Sequence, residues 1–257
     1  MCLVILALRA HPDYPLVVAA NRDEFHARPT AATHFSEEHP QLLAGRDLEQ
    51  GGTWMGITRQ GRFAAITNYR DPARTAPAPR SRGELTLDFL AGSDSAADFL
   101  AQVARRADDY AGFNLLLGDG NSLWYFTNSV APDERQPREL LAGIYGLSNA
   151  RLDTPWPKVE AGRERLAQVL AAGPGHEALA SVVNDRALAE PGQLQALDLH
   201  GEMDQLLSAQ FIVTAPYGTR STTTLWVDRG GEAHWRELSF DAQGSQTDST
   251  QEQFSIA

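Results

Sequence analysis

Cysteine is almost absent from this 257-residue chain, since Cys2 is the only one. A single thiol excludes an internal disulfide, which fits a reducing compartment, and we expect a cytoplasmic protein. Cysteine and histidine form no cluster with the spacing of a zinc site, and we expect no bound metal.

Basic residues and long apolar runs are also scarce. Lysine and arginine number 22 against 33 aspartates and glutamates, which gives a net charge of −11. This balance argues against nucleic acid as the main ligand, because phosphate binding requires a basic surface. No apolar run approaches the ~20 residues of a membrane span. The apolar residues 3–8 lack a basic leader and a small-residue cleavage site, so they are not typical of a signal peptide.

Apolar runs, turn residues and helical periodicity predict strands and helices in alternating groups. The predicted strands cover residues 3–8, 16–20, 53–58, 63–68, 113–117, 122–127, 144–148, 211–214, 221–227 and 233–240. The predicted helices cover residues 85–90, 95–110, a segment that begins at 154–155, and 177–184, and residues 71–81 are a predicted loop.

This order of elements favours an α+β fold. Many antiparallel hairpins with helices segregated between them predict two stacked antiparallel sheets with helices on both outer faces. No repeat or linker divides the chain, so we predict one domain over residues 1–240. Residues 241–257 are polar and predict a mobile C-terminal tail.

Cys2 becomes a nucleophile with its own base once Met1 is removed. Removal is efficient when the second residue is small, as cysteine is. The freed α-amine has a pKa near ~8, so its neutral fraction accepts the thiol proton and the thiolate attacks. A lone cysteine is also common as a small buried hydrophobic residue. Cys2 alone leaves both interpretations open.

Further polar clusters follow predicted strands. Residues 21–24 follow the second strand, where a hairpin brings Asn21 or Asp23 near Cys2. Residues 67–70 contain Asn68, whose amide is a candidate oxyanion donor. Residues 147–149 precede a helix, and residues 217–223 contain Arg220, a candidate partner for a carboxylate. Taken singly, each cluster also fits a solvated charge run, a turn, a helix start or a surface arginine.

Together these motifs resemble the NRDE family, which includes the animal transport-and-Golgi-organisation protein. The resemblance runs in order from residue 1 to about 227. It rests on Met-Cys at 1–2, Asn-Arg-Asp-Glu at 21–24, Gly-Gly-Thr-Trp-Met-Gly at 51–56, Thr-Asn-Tyr-Arg at 67–70, Ser-Arg-Gly at 81–83, Gly-Phe-Asn-Leu-Leu at 112–116, Gly-Leu-Ser-Asn at 146–149, Pro-Trp-Pro-Lys at 155–158 and Tyr-Gly-Thr-Arg at 217–220.

The family is similar to N-terminal-nucleophile (Ntn) hydrolases of the choloylglycine hydrolase and penicillin V acylase type. This similarity implies a four-layer αββα sandwich with Cys2 as the catalytic nucleophile. It also implies that Asp23 holds the nucleophile amine, that Asn68 contributes to the oxyanion hole, that Asn149 orients the amine, and that Arg220 completes the site.

We assign substrate contacts to Asn21, Arg22, Trp54 and Tyr69, although Arg22 is shifted from the arginine of the hydrolases. Arg22 and Arg220 are expected to lower the pKa of the Cys2 thiol.

The resemblance implies an amidohydrolase acting on a linear amide of a small or lipophilic acyl compound, without a cofactor. The alternative is a non-catalytic protein on the same scaffold that binds and traffics haem, lipid or acyl-CoA, since fold does not fix function.

Overall fold

The computed structural model describes residues 2–70, 78–197 and 199–257. These residues form two compact units, each with its own sheet. The first contains the residues up to Ala27, Ala142–Ser148 and Leu152–Gln253, and the second contains Arg28–Leu141, Asn149–Arg151 and Phe254–Ala257. The boundary of a single domain at residue 240 stays a prediction. Met1 and residues 71–77 of the predicted loop lie outside the described residues.

The elements are numbered in chain order. The strands are β1 Cys2–His11, β2 Tyr14–Phe25, β3 Thr30–Phe35, β4 Leu42–Asp47, β5 Met55–Thr58, β6 Phe63–Asn68, β7 Phe113–Gly118, β8 Leu123–Thr127, β9 Arg138–Glu139, β10 Gly143–Leu147, β11 Tyr217–Val227, β12 Glu232–Phe240 and β13 Gln246–Ser255. The α-helices are α1 Gly83–Ala91, α2 Ala96–Arg105, α3 Pro157–Ala172, α4 His176–Ala180, α5 Pro191–Gln195 and α6 Glu202–Leu206.

The first unit is built on a six-stranded sheet with the strand order β10-β1-β2-β11-β12-β13. Its central strands β1 and β2 are almost continuously buried, as their apolar runs predict. Helix α3 packs on β1 and β10, where Leu3 and Ile5 share a core with Val159 and Leu166. This packing fixes the start of α3 relative to the start of β1.

The second unit is built on a seven-stranded sheet in which β3 to β9 follow one another in chain order. Helices α1 and α2 pack on this sheet and bury Leu85, Phe89 and Leu100 against it. No helix in the described part of the chain is long and apolar enough to cross a membrane.

The C-terminal segment differs from the mobile tail expected from its polar composition. Residues 246–255 form β13 at the edge of the six-stranded sheet. The preceding turn is ordered by Asp241, whose Oδ1 accepts hydrogen bonds from the backbone N–H groups of Gln243 at 2.9 Å and Ser245 at 2.8 Å. Gly244 provides the required positive φ of 71°. Backbone pairing therefore orders a segment that buries little side-chain surface.

Other differences concern short or weakly patterned segments. Strands β3 and β4 were not predicted, and residues 211–214 contain only an isolated bridge from Val213 to Gly218 rather than the predicted strand. Helix α4 ends at Ala180, four residues before its predicted end. The polar residues 21–24 lie inside β2 and not after it. The last difference matters most, because it buries Asn21, Arg22 and Asp23 within the sheet.

We predict that Gly146→Ala weakens the packing of α3 on β10. A Cβ atom at this position would lie 2.4 Å from Cγ1 of Val159. Overpacking of this kind lowers the free energy of unfolding by roughly 1–3 kcal/mol, which urea denaturation measures. The control is Gly192→Ala in α5, where nothing lies within 4 Å of the new atom. Equal stability of the two variants would contradict the close packing of α3.

Candidate active site

The site is centred on the first residue of β1. Cys2 lies directly opposite Arg22 of β2, and Leu3 lies opposite Asn21. Strand β2 also pairs with β11, so that Ser221 faces Arg22 on its other side. Three neighbouring strands therefore bring Cys2 and the polar residues of β2 to the same end of the sheet.

Asp23 is buried at 1% exposure and is bonded to β11. The hydroxyl group of Thr219 donates to its Oδ1 at 2.7 Å, and the hydroxyl group of Tyr217 donates to its backbone carbonyl at 2.8 Å. Burial raises the pKa of this carboxyl, while Lys158, the Thr219 hydrogen bond and Arg22 lower it. The pKa of Asp23 is raised on balance, so this carboxyl group is withdrawn from water but lies beside groups that favour its charged form.

In the chain that still carries Met1, burial raises the pKa of the Cys2 thiol above that of a free cysteine, and the lowered pKa expected for the mature form stays a prediction. Burial is the largest effect, and the charge of Asp23 also raises the pKa. Arg22 and the backbone N–H of Asp23 lower it but do not prevail. Withdrawal from water penalises the thiolate more than the nearby cation favours it.

Asn21 has a structural role instead of the predicted contact with substrate. Its Nδ2 donates to the carbonyls of Val183 at 2.7 Å and Gln210 at 2.9 Å, and its Oδ1 accepts from Thr222 at 2.7 Å. The side chain is 1% exposed. Both of its amide protons are used inside the protein, so Asn21 ties β2 to β11 and to the segments around residues 183 and 210.

Arg220 occupies an irregularity in the pairing of β2 with β11, between Thr219 and Ser221. Its Nη1 donates to the backbone carbonyls of Phe25 at 3.1 Å and His26 at 3.2 Å. Partial burial and the like charge of Arg22 lower the pKa of its guanidinium. The two arginines therefore lie within electrostatic range of each other, and the catalytic role of Arg220 stays a prediction.

The remaining predicted residues belong to the second unit. The Nδ2 atom of Asn149 donates to the backbone carbonyl of Asn68 at 2.8 Å. The backbone N–H of Tyr69 donates to Gly112. The ring of Trp54 lies over Gly45, where a Cβ atom would come within 2.1 Å of it. The roles of Asn68 and Asn149 in catalysis, and those of Tyr69 and Trp54 in substrate binding, stay predictions.

Two residues of the site were not assigned a role from sequence. Thr219 binds the Asp23 carboxylate, and Lys158, which is 3% exposed, acts electrostatically on both Asp23 and Cys2. Both lie in motifs that carry the family resemblance. One feature of the sequence could have identified Lys158: it is a cation in the first turn of a predicted helix, where the helix dipole disfavours positive charge.

One group of potential metal ligands is found in the described residues, away from Cys2. Asp228, Glu232 and His234 place one ligand atom each within 4.8 Å of one another in the hairpin between β11 and β12. Asp228 already accepts a hydrogen bond from the backbone N–H of Glu232 at 2.9 Å, as turn residues commonly do. The group has an ordinary role in the turn.

Comparison with solved structures identifies the fold of the chain. A variant of the conjugated bile acid hydrolase from Clostridium perfringens matches with a TM-score of 0.52 and 8% sequence identity, over 98% of this chain and 97% of that one. The likeness shows the fold and confirms the predicted αββα sandwich of the Ntn-hydrolase type.

Comparison of sequences defines the family. The sequence model of the protein family described as Transport and Golgi organisation 2 matches residues 1–242. The chain is 37% identical over 268 residues to the Transport and Golgi organization protein 2 homolog of Bos taurus, and 34% identical over 262 residues to that of Homo sapiens. Each match covers 93% of both proteins. The chain belongs to the Transport and Golgi organisation 2 family, as its motifs predict.

We predict that Thr219→Val destabilises the protein more at pH 7 than at pH 3.5. Burial raises the pKa of Asp23 above its unfolded value near ~3.9, so its ionisation opposes folding as the pH rises. Thr219 offsets this by donating to the carboxylate, and its hydroxyl also accepts from the N–H of Ile212. We expect a loss of about 1 kcal/mol at pH 3.5 and about 2–3 kcal/mol at pH 7.

Chemical denaturation at the two pH values measures this difference. Thr219→Ser is the matched control, because it keeps the hydroxyl group and should keep most of the stability at both pH values. An equal loss for Thr219→Val at both pH values would mean that the hydroxyl does not stabilise an ionised Asp23.

Proposed function

We propose that this protein is an N-terminal-cysteine amidohydrolase acting on a linear amide of a small or lipophilic acyl compound. The observation that carries this proposal is the place of Cys2, which begins β1 opposite the buried Arg22 and within electrostatic range of the buried Asp23. The fold adds support, because a protein of this fold is a hydrolase of conjugated bile acids.

The reaction begins with the transfer of the thiol proton to a base. In the mature chain the neutral α-amine of Cys2 accepts the thiol proton, and the sulfur attacks the amide carbonyl carbon. The tetrahedral intermediate then breaks its C–N bond, and the leaving amine takes the proton. Water attacks the resulting thioester, which releases the carboxylic acid and restores the thiol and the amine.

In this mechanism, buried charged residues of the first unit orient the amine and stabilise the charge that forms on sulfur. Asp23, fixed by Thr219, holds the α-amine while it carries the proton, and Arg22 opposes the negative charge that forms on sulfur. The family resemblance supplies three further roles in the proposal. They are an oxyanion donor at Asn68, a residue that orients the amine at Asn149, and a further cation at Arg220.

The first test of this proposal is the amino terminus itself. We predict that protein expressed from this sequence lacks Met1, because the second residue is small and the mechanism requires the amine of Cys2. Intact mass spectrometry measures this directly, since the removal of methionine lowers the mass by about 131 Da. A quantitatively retained methionine would rule out the α-amine of Cys2 as the base.

The second test is hydrolysis of a panel of N-acyl aminocoumarin amides with acyl chains of two to sixteen carbons. We predict that the mature protein releases aminocoumarin and gains the mass of the acyl group on Cys2. Loss of one essential catalytic group lowers turnover by roughly 10²–10⁴-fold, so Cys2→Ser should be strongly impaired and Cys2→Ala inactive.

The same panel tests the alternative of a carrier of haem, lipid or acyl-CoA. Hydrolysis that persists in Cys2→Ala would remove Cys2 from the mechanism. If the mature wild-type protein hydrolyses no amide while it and Cys2→Ala bind haem or long-chain acyl-CoA equally well, the carrier function is the correct one. Circular dichroism of both variants separates loss of activity from loss of folding.

A further inference from the structure

Lys158 is the only lysine among the 22 basic residues of this chain. It lies in the first turn of α3 and is 3% exposed. Lysine is rarely buried without a partner, and a cation is disfavoured at a helix N-terminus. Neither solubility nor helix stability therefore accounts for a lysine at this position.

The polar contacts of Lys158 connect α3 to the strand that carries Asp23. Its Nζ donates to the carbonyl of Leu207 at 2.8 Å, and its own carbonyl accepts from Nε2 of Gln210 at 3.0 Å. The carbonyl of Gln210 accepts from Asn21 at 2.9 Å. Because Asn21 lies two residues before Asp23 on the same face of β2, this chain of bonds fixes the backbone of Lys158 relative to Asp23.

The charges around Lys158 come from β1 and β2. Burial is the largest effect and lowers the pKa of Lys158 to about 8, while the negative charges of Asp23 and Cys2 raise it. The charge of Arg22 also lowers the pKa of Asp23. The hydroxyl group of Thr219 donates to the Asp23 carboxyl, and that of Tyr217 donates to the Asp23 backbone carbonyl. Burial raises the pKa of Tyr217, so its hydroxyl stays neutral and donates.

We propose that Lys158 is a positioning residue of the Cys2 site, whose buried ammonium group favours the charged form of the Asp23 carboxyl beside the nucleophile. This inference rests on the proposed function, since it assigns Asp23 the task of holding the α-amine. Lys158 exchanges no proton in the reaction. Together with Arg22 it supplies positive charge against the negative charge of Asp23 and of the thiolate that forms during attack.

The single lysine makes this coupling directly measurable. Protein labelled with ¹⁵Nζ-lysine gives one side-chain ammonium signal, whose shift with pH reports the pKa of Lys158. We expect a value about one unit or more lower in Asp23→Asn than in the wild type, because the negative partner is removed. The control is Glu24→Gln, which removes the next carboxylate along β2 and should leave the titration unchanged.

A second measurement covers the case in which Asp23→Asn does not fold. Lys158→Arg carries a permanent charge and Lys158→Met carries none. We expect iodoacetamide to alkylate Cys2 with a midpoint about one pH unit lower in the arginine variant than in the methionine variant. Both variants are first compared with the wild type by circular dichroism.

Two results would overturn the inference: a Lys158 titration that is the same in Asp23→Asn as in the wild type, or equal alkylation midpoints in the two Lys158 variants. A purely structural lysine, held by Leu207 alone, gives these results. Neither measurement uses an amide substrate. An inactive protein that shows the coupling would refute the proposed hydrolysis while leaving the electrostatic role of Lys158 in place.

Discussion

The buried carboxylate of Asp23 is the group on which the rest of the site depends. A charged group withdrawn from water is stable only when opposite charges and hydrogen-bond donors surround it. Those partners come from three separate elements, since Thr219 belongs to β11, Lys158 to α3 and Arg22 to β2 itself. A slip of one residue in the pairing of β2 would turn Asp23 to the opposite face of the sheet. The register that places Arg22 opposite Cys2 is therefore also the register that stabilises Asp23.

The same burial determines the chemistry available to Cys2. Charges interact more strongly where water is excluded, but an isolated thiolate is also harder to form there. The nearby arginine does not overcome this penalty, so the pKa of the thiol is raised. A site of this kind depends on the protonation states of its neighbours and not on a thiolate present in advance. In the proposed reaction, the rate would accordingly follow the charge balance among the amine, Asp23 and Lys158.

The strands and helices predicted from sequence were mainly those that bury side chains on a regular pattern. The apolar runs of β1 and β2 and the periodic stripe of α3 identified the elements of the first unit that carry the site. Strand β13 escaped prediction because it exposes most of its side chains and is ordered by backbone pairing. Composition does not encode such pairing, which depends on the edge that a neighbouring strand offers.

The sequence by itself determined the family and the fold class and supplied the candidate site residues around Cys2, because these follow from motifs in a fixed order along the chain. Only the tertiary structure decided the environment of those residues. It buried Asn21 in structural hydrogen bonds, raised the pKa of the thiol, and brought Lys158 near Asp23 from a helix that begins 134 residues later in the chain. Burial and charge depend on distances in space between residues far apart in sequence, and folding alone sets those distances.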